Sequence, residues 1–302
     1  MFFSRRTILK TASLSAFSSV IPSFSIAQVD LKSSTIRTVS DGAITLPASL
    51  TFETMPQNKL EPILGEFNLS KNELIRECNV TLFENNSYKV LFDAGAGTDF
   101  LSGMGQLVDN LNAVNIRPED ITDVIFTHSH PDHLWGILDD FEDLTFQNAN
   151  FHIGRKEWEF WTDPDTVNKV REDRITTAIG AKRRLEALGT NINLFENDDK
   201  ILPGIKALIT PGHTPGHMSF EVGDNSKKFL IAGDALNNHH VAFRHPEWMG
   251  GLDQDPKLAA QTRQFLLQKL TSEYMGLVGF NLPNGSIGKV ENTSGGYEFM
   301  EL

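Results

Sequence analysis

The chain has 302 residues, of which 40% are hydrophobic and 22% are charged, and this composition excludes a collagen-like or wholly disordered protein. Its 39 acidic and 27 basic residues give a formal net charge of −12, which argues against a nucleic-acid partner because phosphate backbones attract clustered Lys and Arg. The single cysteine, Cys78, excludes an internal disulfide and a metal site built from several cysteines. After the first 30 positions no uncharged apolar stretch is long enough to span a bilayer, so we expect no stable membrane association.

Residues 1–27 have the pattern of an export signal. Arg5 and Arg6 precede a short apolar run rich in Ser and Ala, and residues 25–27 have the small-x-small form of a cleavage site. The paired arginines resemble the twin-arginine signal. We therefore expect the twin-arginine export machinery as a partner, the periplasm as the destination, and a metal or cofactor that is bound before export.

The rest of the chain is predicted to form a single domain. Residues 28–302 contain no linker rich in Ser, Gly or Pro and no low-complexity segment, and residues 28–75 are expected to form an N-terminal extension. Two apolar runs, residues 79–84 and 89–93, are joined by Asn85-Asn86-Ser87, which is typical of a hairpin turn.

Helices and strands alternate further along the chain. Apolar spacing predicts a helix over residues 101–111, a short buried strand over residues 124–127, and a second helix over residues 166–188. Residues 89–95 and 228–234 repeat one pattern, an apolar strand that ends at Asp and Gly. Two strand-rich halves with helices outside predict an α/β fold, a four-layer αββα sandwich in which loops of both halves meet at one edge.

A histidine cluster directly follows the predicted strand over residues 124–127. His128-Ser129-His130-Pro131-Asp132-His133 places three imidazoles and a carboxylate within six residues. These groups are the ligands that Zn²⁺ and similar divalent ions prefer. Alternate residues of an extended loop point the same way, so His128 and His130 can share one ion, while Asp132 and His133 face a neighbouring site.

Further candidate ligands lie downstream. His213 is in a turn rich in Gly and Pro, residues 210–217, and Asp234 ends an apolar strand. Together with the histidine cluster, these motifs resemble the metallo-β-lactamase superfamily over nearly all of the chain after residue 27. The resemblance implies the αββα sandwich and two divalent metal ions, with zinc as the expected metal. One ion would be bound by His128, His130 and His213, and the other by Asp132, His133 and Asp234, with Asp234 bridging both.

Other segments narrow the resemblance to the methyl-parathion-hydrolase branch, which includes exported lactonases; they are Asp41-Gly42, Leu46-Pro47, Lys156-Glu157, residues 203–208 and residues 287–290. That branch has a seventh ligand, a His before a Pro-Gly-x-Gly-like segment, and Asn281 stands at this position. A neutral amide oxygen is a poorer zinc ligand than imidazole, so we expect Asn281 to face a second ion that is weakly bound. Two alternatives are that His239 or His240 supplies the missing ligand, and that the second site stays empty.

The resemblance also implies a reaction. A bound divalent ion lowers the pKa of water to about 7, so a metal-bound hydroxide would attack the substrate. Asp132 would be the catalytic residue that orients this nucleophile and accepts its proton. Trp161 aligns with an aromatic residue of the branch's substrate pocket, with core packing as the alternative, and an aromatic pocket suits an apolar ester, lactone or phosphoester.

The predicted function is therefore an exported metal-dependent hydrolase of a small ester, lactone or phosphoester. A hydroxyacyl-thioester hydrolase is disfavoured, because no basic cluster marks a glutathione site. A further alternative is a metal- or ligand-binding protein with a degraded second metal site. Asn281 supports this alternative because it stands where the family has a metal-binding His. A homodimer is compatible with the resemblance, since members of the superfamily often pair.

Overall fold

The computed structural model describes residues 27–224 and 227–302, so the predicted export signal, apart from Ala27, lies outside the described residues. Within the part of the chain that the structure describes, fourteen strands form two sheets of seven strands each. No helix within these two ranges has both the length and the apolar character needed to cross a membrane.

The first sheet keeps its strands in chain order. They are β1 (Gln28–Asp30), β2 (Ser34–Pro47), β3 (Glu73–Asn85), β4 (Lys89–Phe92), β5 (Asp123–Ile125), β6 (Asn150–Gly154) and β7 (Ile192–Phe195). β1 to β4 pair antiparallel, while β4 to β7 pair parallel. Parallel pairs place their carboxyl ends at the same sheet edge, which is where the candidate ligands begin.

The second sheet also follows chain order. Its strands are β8 (Lys200–Leu202), β9 (Ile205–Ile209), β10 (Met218–Gly223), β11 (Lys228–Ile231), β12 (Gly276–Val278), β13 (Ile287–Thr293) and β14 (Gly296–Glu301). Only β11 and β12 pair parallel, and a long helix connects them.

Nine α-helices accompany the sheets in the described residues. They are α1 (Ser49–Phe52), α2 (Gln57–Glu66), α3 (Leu107–Ala113), α4 (Pro131–Leu134), α5 (Arg155–Thr162), α6 (Thr166–Lys169), α7 (Ile175–Ala187), α8 (Val241–Arg244) and α9 (Pro256–Ser272). The longest, α9, begins at Pro256, and the Asp255 side chain caps it by accepting a hydrogen bond from the Leu258 N–H at 3.0 Å.

The core is layered because strand residues alternate between faces. Phe92 and Ile125 of the first sheet pack against Phe220 and Phe229 of the second, and this layer joins the sheets. Residues of the opposite strand faces pack against helices, chiefly α7 on one side and α9 on the other. The predicted αββα sandwich is confirmed.

The N-terminal extension contributes two strands, β1 and β2, to the first sheet. Two predicted helices differ from the expectations. The helix expected from residue 101 begins only at Leu107. The helix expected over residues 166–188 is interrupted at Val170 and Arg171, whose extended backbones separate α6 from a short 3-10 turn and α7.

Candidate metal centre

A buried carboxylate fixes the histidine-rich loop. Asp93, directly after β4, accepts hydrogen bonds from the Thr127 backbone N–H at 2.7 Å and from the Thr127 hydroxyl at 2.8 Å. Its second oxygen also lies 2.7 Å from His133 Nδ1. Asp93 therefore ties the end of β4 to the loop that follows the neighbouring parallel strand, β5.

Three imidazole nitrogens converge to form the first group of candidate ligands. His130 Nδ1 lies 3.1 Å from His128 Nε2 and 2.9 Å from His213 Nε2. Burial, followed by repulsion from neighbouring charged groups, lowers the pKa of His128 and His130 well below the ordinary value. Both rings are therefore neutral at pH 7, which is the form that binds metal, and three such nitrogens fit Zn²⁺ or a similar divalent ion.

In two of these rings, the nitrogen that points away from the group contacts another side chain of the protein. His128 Nδ1 lies 3.0 Å from the Thr127 hydroxyl, and His213 Nδ1 lies 3.0 Å from Asp253 Oδ1. Asp253 in turn pairs with Arg263 at 3.5 Å. Contacts of this kind fix the orientation and tautomer of metal-binding imidazoles.

A second group lies beside the first: His133 and Asp234 converge there with His128, and Asp132 lies at its edge. His133 Nε2 lies 3.3 Å from Asp234 Oδ1 and 3.7 Å from Asp132 Oδ2, while Asp234 Oδ2 lies 3.4 Å from His213 Nε2. The two Asp234 oxygens thus face the two groups. His133 Nε2 and Asp234 Oδ1 are buried without a hydrogen-bond partner, so they are available to a cation. Burial opposes charge on His133, but Asp132, Asp93 and Asp234 raise the pKa of His133 well above its ordinary value.

His217 positions Asp234 and does not join either group. Its Nε2 accepts a hydrogen bond from the Asp234 backbone N–H at 3.1 Å, and its Nδ1 lies 2.8 Å from the Thr210 hydroxyl. Both ring nitrogens are therefore engaged by the protein, and the imidazole fixes the end of the segment that follows β11.

The expectation for Asn281 needs a correction, because Arg76 lies next to it. Arg76 Nη2 donates a hydrogen bond to Asn281 Oδ1 and lies 3.3 Å from Asp234 Oδ2. Asn281 Nδ2 donates to the Glu77 carbonyl oxygen at 2.8 Å, which turns the amide oxygen toward the guanidinium. The Asn281 oxygen therefore faces a positive side chain, which itself lies beside Asp234.

His239 and His240 lie against aromatic rings. The His239 ring centroid is 5.3 Å from that of Phe67, and the His240 centroid is 5.9 Å from that of Phe52. Burial lowers the pKa of His240 to about 3. Within the described residues neither histidine belongs to a group of converging metal ligands, so the structure does not place them in the role of the missing ligand.

Trp161 was expected in the substrate pocket, but its ring has no exposed surface. The ring lies beside His130, with centroids 5.9 Å apart, and its Nε1 donates to Glu157 Oε1 at 2.6 Å. The fully buried Glu157 accepts three more hydrogen bonds from the two ligand-bearing loops, donated by the Ser129 N–H at 2.9 Å, the Thr214 hydroxyl at 2.8 Å and the Gly216 N–H at 3.0 Å. Glu157 thus connects the two loops that carry the first group, and Trp161 packs against His130 of that group.

A cavity of about 560 Å³ borders the loop that carries His213, although none of the candidate metal ligands lines it. Its walls include Gly212 and Pro215, which belong to the loop of His213, and Asp253, which binds that ring. The apolar part of the wall consists of Phe160, Val170, Pro256 and Leu258. Three basic side chains also line the cavity, namely Lys169, Arg171 and Arg174. The break between α6 and α7 places residues 169–174 at this cavity.

The sequence interpretation did not assign site roles to Arg76, Asp93, Glu157 and Asp253. Their contacts join segments that lie far apart in the chain, so spacing along the sequence does not reveal them. Of these four residues, only Arg76 could have been found from its neighbours in the sequence. It alternates with Leu74 and Cys78, which are both buried, so β3 places the charge of Arg76 on a buried face of the sheet.

Comparison with known proteins gives the family. The model of the metallo-beta-lactamase superfamily matches residues 75–274, well over half of the chain. An N-acyl homoserine lactonase from Bacillus cereus is 28% identical over 146 residues, which are 48% of this chain and 50% of that protein. The N-acyl homoserine lactonase AttM from Agrobacterium fabrum is 31% identical over 135 residues, 42% of this chain and 46% of that protein. The chain thus spans about half the length of the curated relatives it matches.

Two solved structures are similar over 92% of this chain and 97% of their own. AidC, a dizinc quorum-quenching lactonase in complex with a product, N-hexanoyl-L-homoserine, has a TM-score of 0.86 at 21% identity. AbOPH, a hydrolase in the beta lactamase superfamily, has a TM-score of 0.84 at 26% identity. The predicted class, a metallo-hydrolase, is confirmed at the level of the family, and the His and Asp groups fit divalent metal binding. The chain belongs to the metallo-beta-lactamase superfamily.

Proposed function

We propose that the protein is an exported lactonase, with N-acyl homoserine lactones as the first candidate substrates. The observation that carries this proposal is the three-imidazole group, because the loop of His213 borders a cavity of about 560 Å³ with a partly apolar wall. A cavity of this size suits a small ligand with an acyl chain, which would lie along Phe160, Val170 and Leu258. The lactonase names of the relatives support the same substrate class.

Zinc is the metal that we propose, and His128, His130 and His213 would hold it. When bound there, it supplies a Lewis acid and a nucleophilic water near neutral pH. The Asp132 carboxylate, 3.7 Å from His133 Nε2, would orient the nucleophile and accept its proton. Asp253 keeps the His213 ring in place throughout.

The charge of the cavity wall also supports a lactone. Arg174 lines the cavity, together with Lys169 and Arg171, which pair with Asp163 and Asp173, and opening a lactone ring creates a carboxylate. Basic side chains stabilise such an anion as it forms. Arg174 is held in place by its Nη2, which donates to the Leu252 carbonyl oxygen at 2.7 Å.

A substrate panel tests the proposal. The full-length protein, loaded with Zn²⁺, Mn²⁺ or Co²⁺, is assayed on acyl homoserine lactones, simple lactones, aryl esters, phosphotriesters and phosphodiesters. We expect the highest kcat/KM on lactones. The His130→Ala and His213→Ala variants should lose at least ~100-fold, more than changes around a ligand usually cost, while His245→Ala, which alters a ring stacked on Trp248, should retain activity.

Two outcomes of this panel would contradict the proposal. Faster hydrolysis of phosphotriesters than of lactones would assign the site to phosphoester chemistry. Metal binding without hydrolysis of any member would favour the metal-binding alternative.

We also propose export to the periplasm by the twin-arginine machinery, on the evidence of Arg5 and Arg6 and the cleavage pattern at residues 25–27. The mature protein should then begin near Gln28, which N-terminal sequencing of periplasmic material will check. Replacing both arginines with Lys should retain the protein in the cytoplasm, and unchanged export of that variant would contradict the proposal.

A further inference from the structure

A guanidinium stands beside the carboxylate that links the two candidate ligand groups. Arg76 extends from β3 with only 11% of its side chain exposed, and its Nη2 lies 3.3 Å from Asp234 Oδ2. The same Asp234 oxygen lies 3.4 Å from His213 Nε2. One oxygen of Asp234 is therefore shared between the first ligand group and an arginine.

Asn281 reinforces this arrangement. Its amide is buried, its Nδ2 donates to the Glu77 carbonyl oxygen at 2.8 Å, and its Oδ1 accepts from Arg76. An imidazole at position 281 that used one ring nitrogen to bind a metal would have only the other nitrogen left, and could not keep both contacts. Asn281 and Arg76 thus fit each other as a pair, and this pair lies beside the Asp234 carboxylate that faces both groups.

The remaining donors of the second group are three: His133 Nε2, Asp234 Oδ1 and Asp132 Oδ2. The first two have no hydrogen-bond partner, so a cation can approach them. Such an ion would nevertheless lie beside the guanidinium of Arg76, which is a cation. Like charges in a buried site repel strongly because little water screens them.

We propose that the protein binds one divalent ion tightly, at His128, His130 and His213, and that the Arg76 guanidinium takes the place of a second ion. Arg76 would hold Asp234 in position and supply the positive charge that this side of the site otherwise lacks. The inference rests on the proposed function only in assuming that the first group binds metal.

Metal stoichiometry tests the inference without any assay of activity. The full-length protein is stripped with a chelator and titrated with Zn²⁺ by calorimetry, and bound zinc is measured by mass spectrometry after gel filtration. A parallel titration with Co²⁺ follows the visible absorption of the bound ion. We expect both signals to saturate at one equivalent, with any second ion at least ~100-fold weaker, the upper end of what a change next to the ligands causes.

Two variants identify Arg76 as the cause. Arg76→Met keeps the length of the side chain and removes its charge, so the second ion should bind ~10-fold tighter or more. The double variant Arg76→Met, Asn281→His adds an imidazole and should bind two ions after gel filtration. Arg37→Met is the matched control: Arg37 lies on the adjacent strand β2 and pairs with Glu84 at 3.8 Å, and its loss should leave one ion.

The outcomes separate the two proposals. No tightly bound ion in the wild type would overturn the proposed function. Two ions of similar affinity in the wild type would overturn the Arg76 inference and leave the proposed function intact. If circular dichroism shows that both variants fold and neither binds a second ion more tightly, Arg76 is not what excludes it; if they do not fold, the wild-type stoichiometry decides alone.

Discussion

Replacing Glu157 with Gln tests whether this carboxylate holds the two ligand-bearing loops of the metal centre in place. Its two carboxylate oxygens receive four hydrogen bonds, two each. Oε1 accepts from the Ser129 N–H and the Trp161 Nε1, and Oε2 accepts from the Thr214 hydroxyl and the Gly216 N–H. Glu157→Gln replaces one of these oxygens with an NH₂ group that cannot accept, in a site that has only donors.

The structure gives the size of the effect. At least two hydrogen bonds to a charged acceptor are lost, and each contributes about 1.5–3 kcal/mol. Part of the loss is offset, because burial already disfavours the charged form and raises the pKa of Glu157 above its ordinary value. We therefore expect the free energy of unfolding to fall by about 2–4 kcal/mol. Since Ser129 and Thr214 belong to the loops that carry the ligands, zinc affinity should also fall, by ~10–100-fold.

Glu159→Gln is the matched control. It makes the same chemical change on the same helix, α5, at an exposed position two residues away. Urea unfolding followed by tryptophan fluorescence measures the first effect, and zinc titration measures the second. Should Glu157→Gln unfold at the same urea concentration as Glu159→Gln and bind zinc equally well, the carboxylate does not connect the two loops in the way described.

Three further predictions follow from individual contacts. Asp253→Asn should weaken zinc binding by ~10–100-fold in a calorimetric titration, because the carboxylate orients His213. Burial raises the pKa of Asp41 from 3.8 to about 6, so its contribution to stability is present below pH 4 and is lost as the pH rises through 6; urea unfolding at pH 4 and pH 7 should show a decline of about 2 kcal/mol more in the wild type than in Asp41→Asn. Gly212→Ala should lower the melting temperature, because Gly212 has φ +129° and a Cβ there would lie 2.3 Å from the Ala259 nitrogen.

The ligand-bearing segments could be predicted from the sequence because each is compact. His128 to His133 fall within six residues that directly follow a buried strand, and His213 and Asp234 each follow an apolar strand in the same way. β4 and β5 are parallel neighbours, and β9 and β11 run in the same direction because both pair antiparallel with β10 between them. These segments therefore leave each sheet at one edge, so the convergence of their side chains follows from local patterns together with the sandwich topology.

Contacts that depend on side chains from distant segments could not be predicted in this way. Asn281 was placed by its position in a family motif, which gives the location of its backbone but not the partner of its side chain. That partner, Arg76, lies 205 positions away in the chain. The interruption of the predicted helix at Val170 was missed for a related reason. The apolar spacing over residues 166–188 continues across two residues with extended backbones, and these two residues face a cavity.

The charge of the site explains why Arg76 and Asn281 belong together. Two carboxylates, Asp132 and Asp234, face the candidate ligands, while His128, His130 and His213 contribute no charge when neutral. One divalent ion and Arg76 together exceed these two carboxylates by one formal positive charge, which suits the single negative charge that develops on a substrate oxygen. A second divalent ion would raise that excess to three in a buried site, where uncompensated charge is costly. The buried Arg76 on β3 and the neutral Asn281 that accepts its hydrogen bond therefore act together, since a second ion and Arg76 could not both be balanced by the carboxylates of this site.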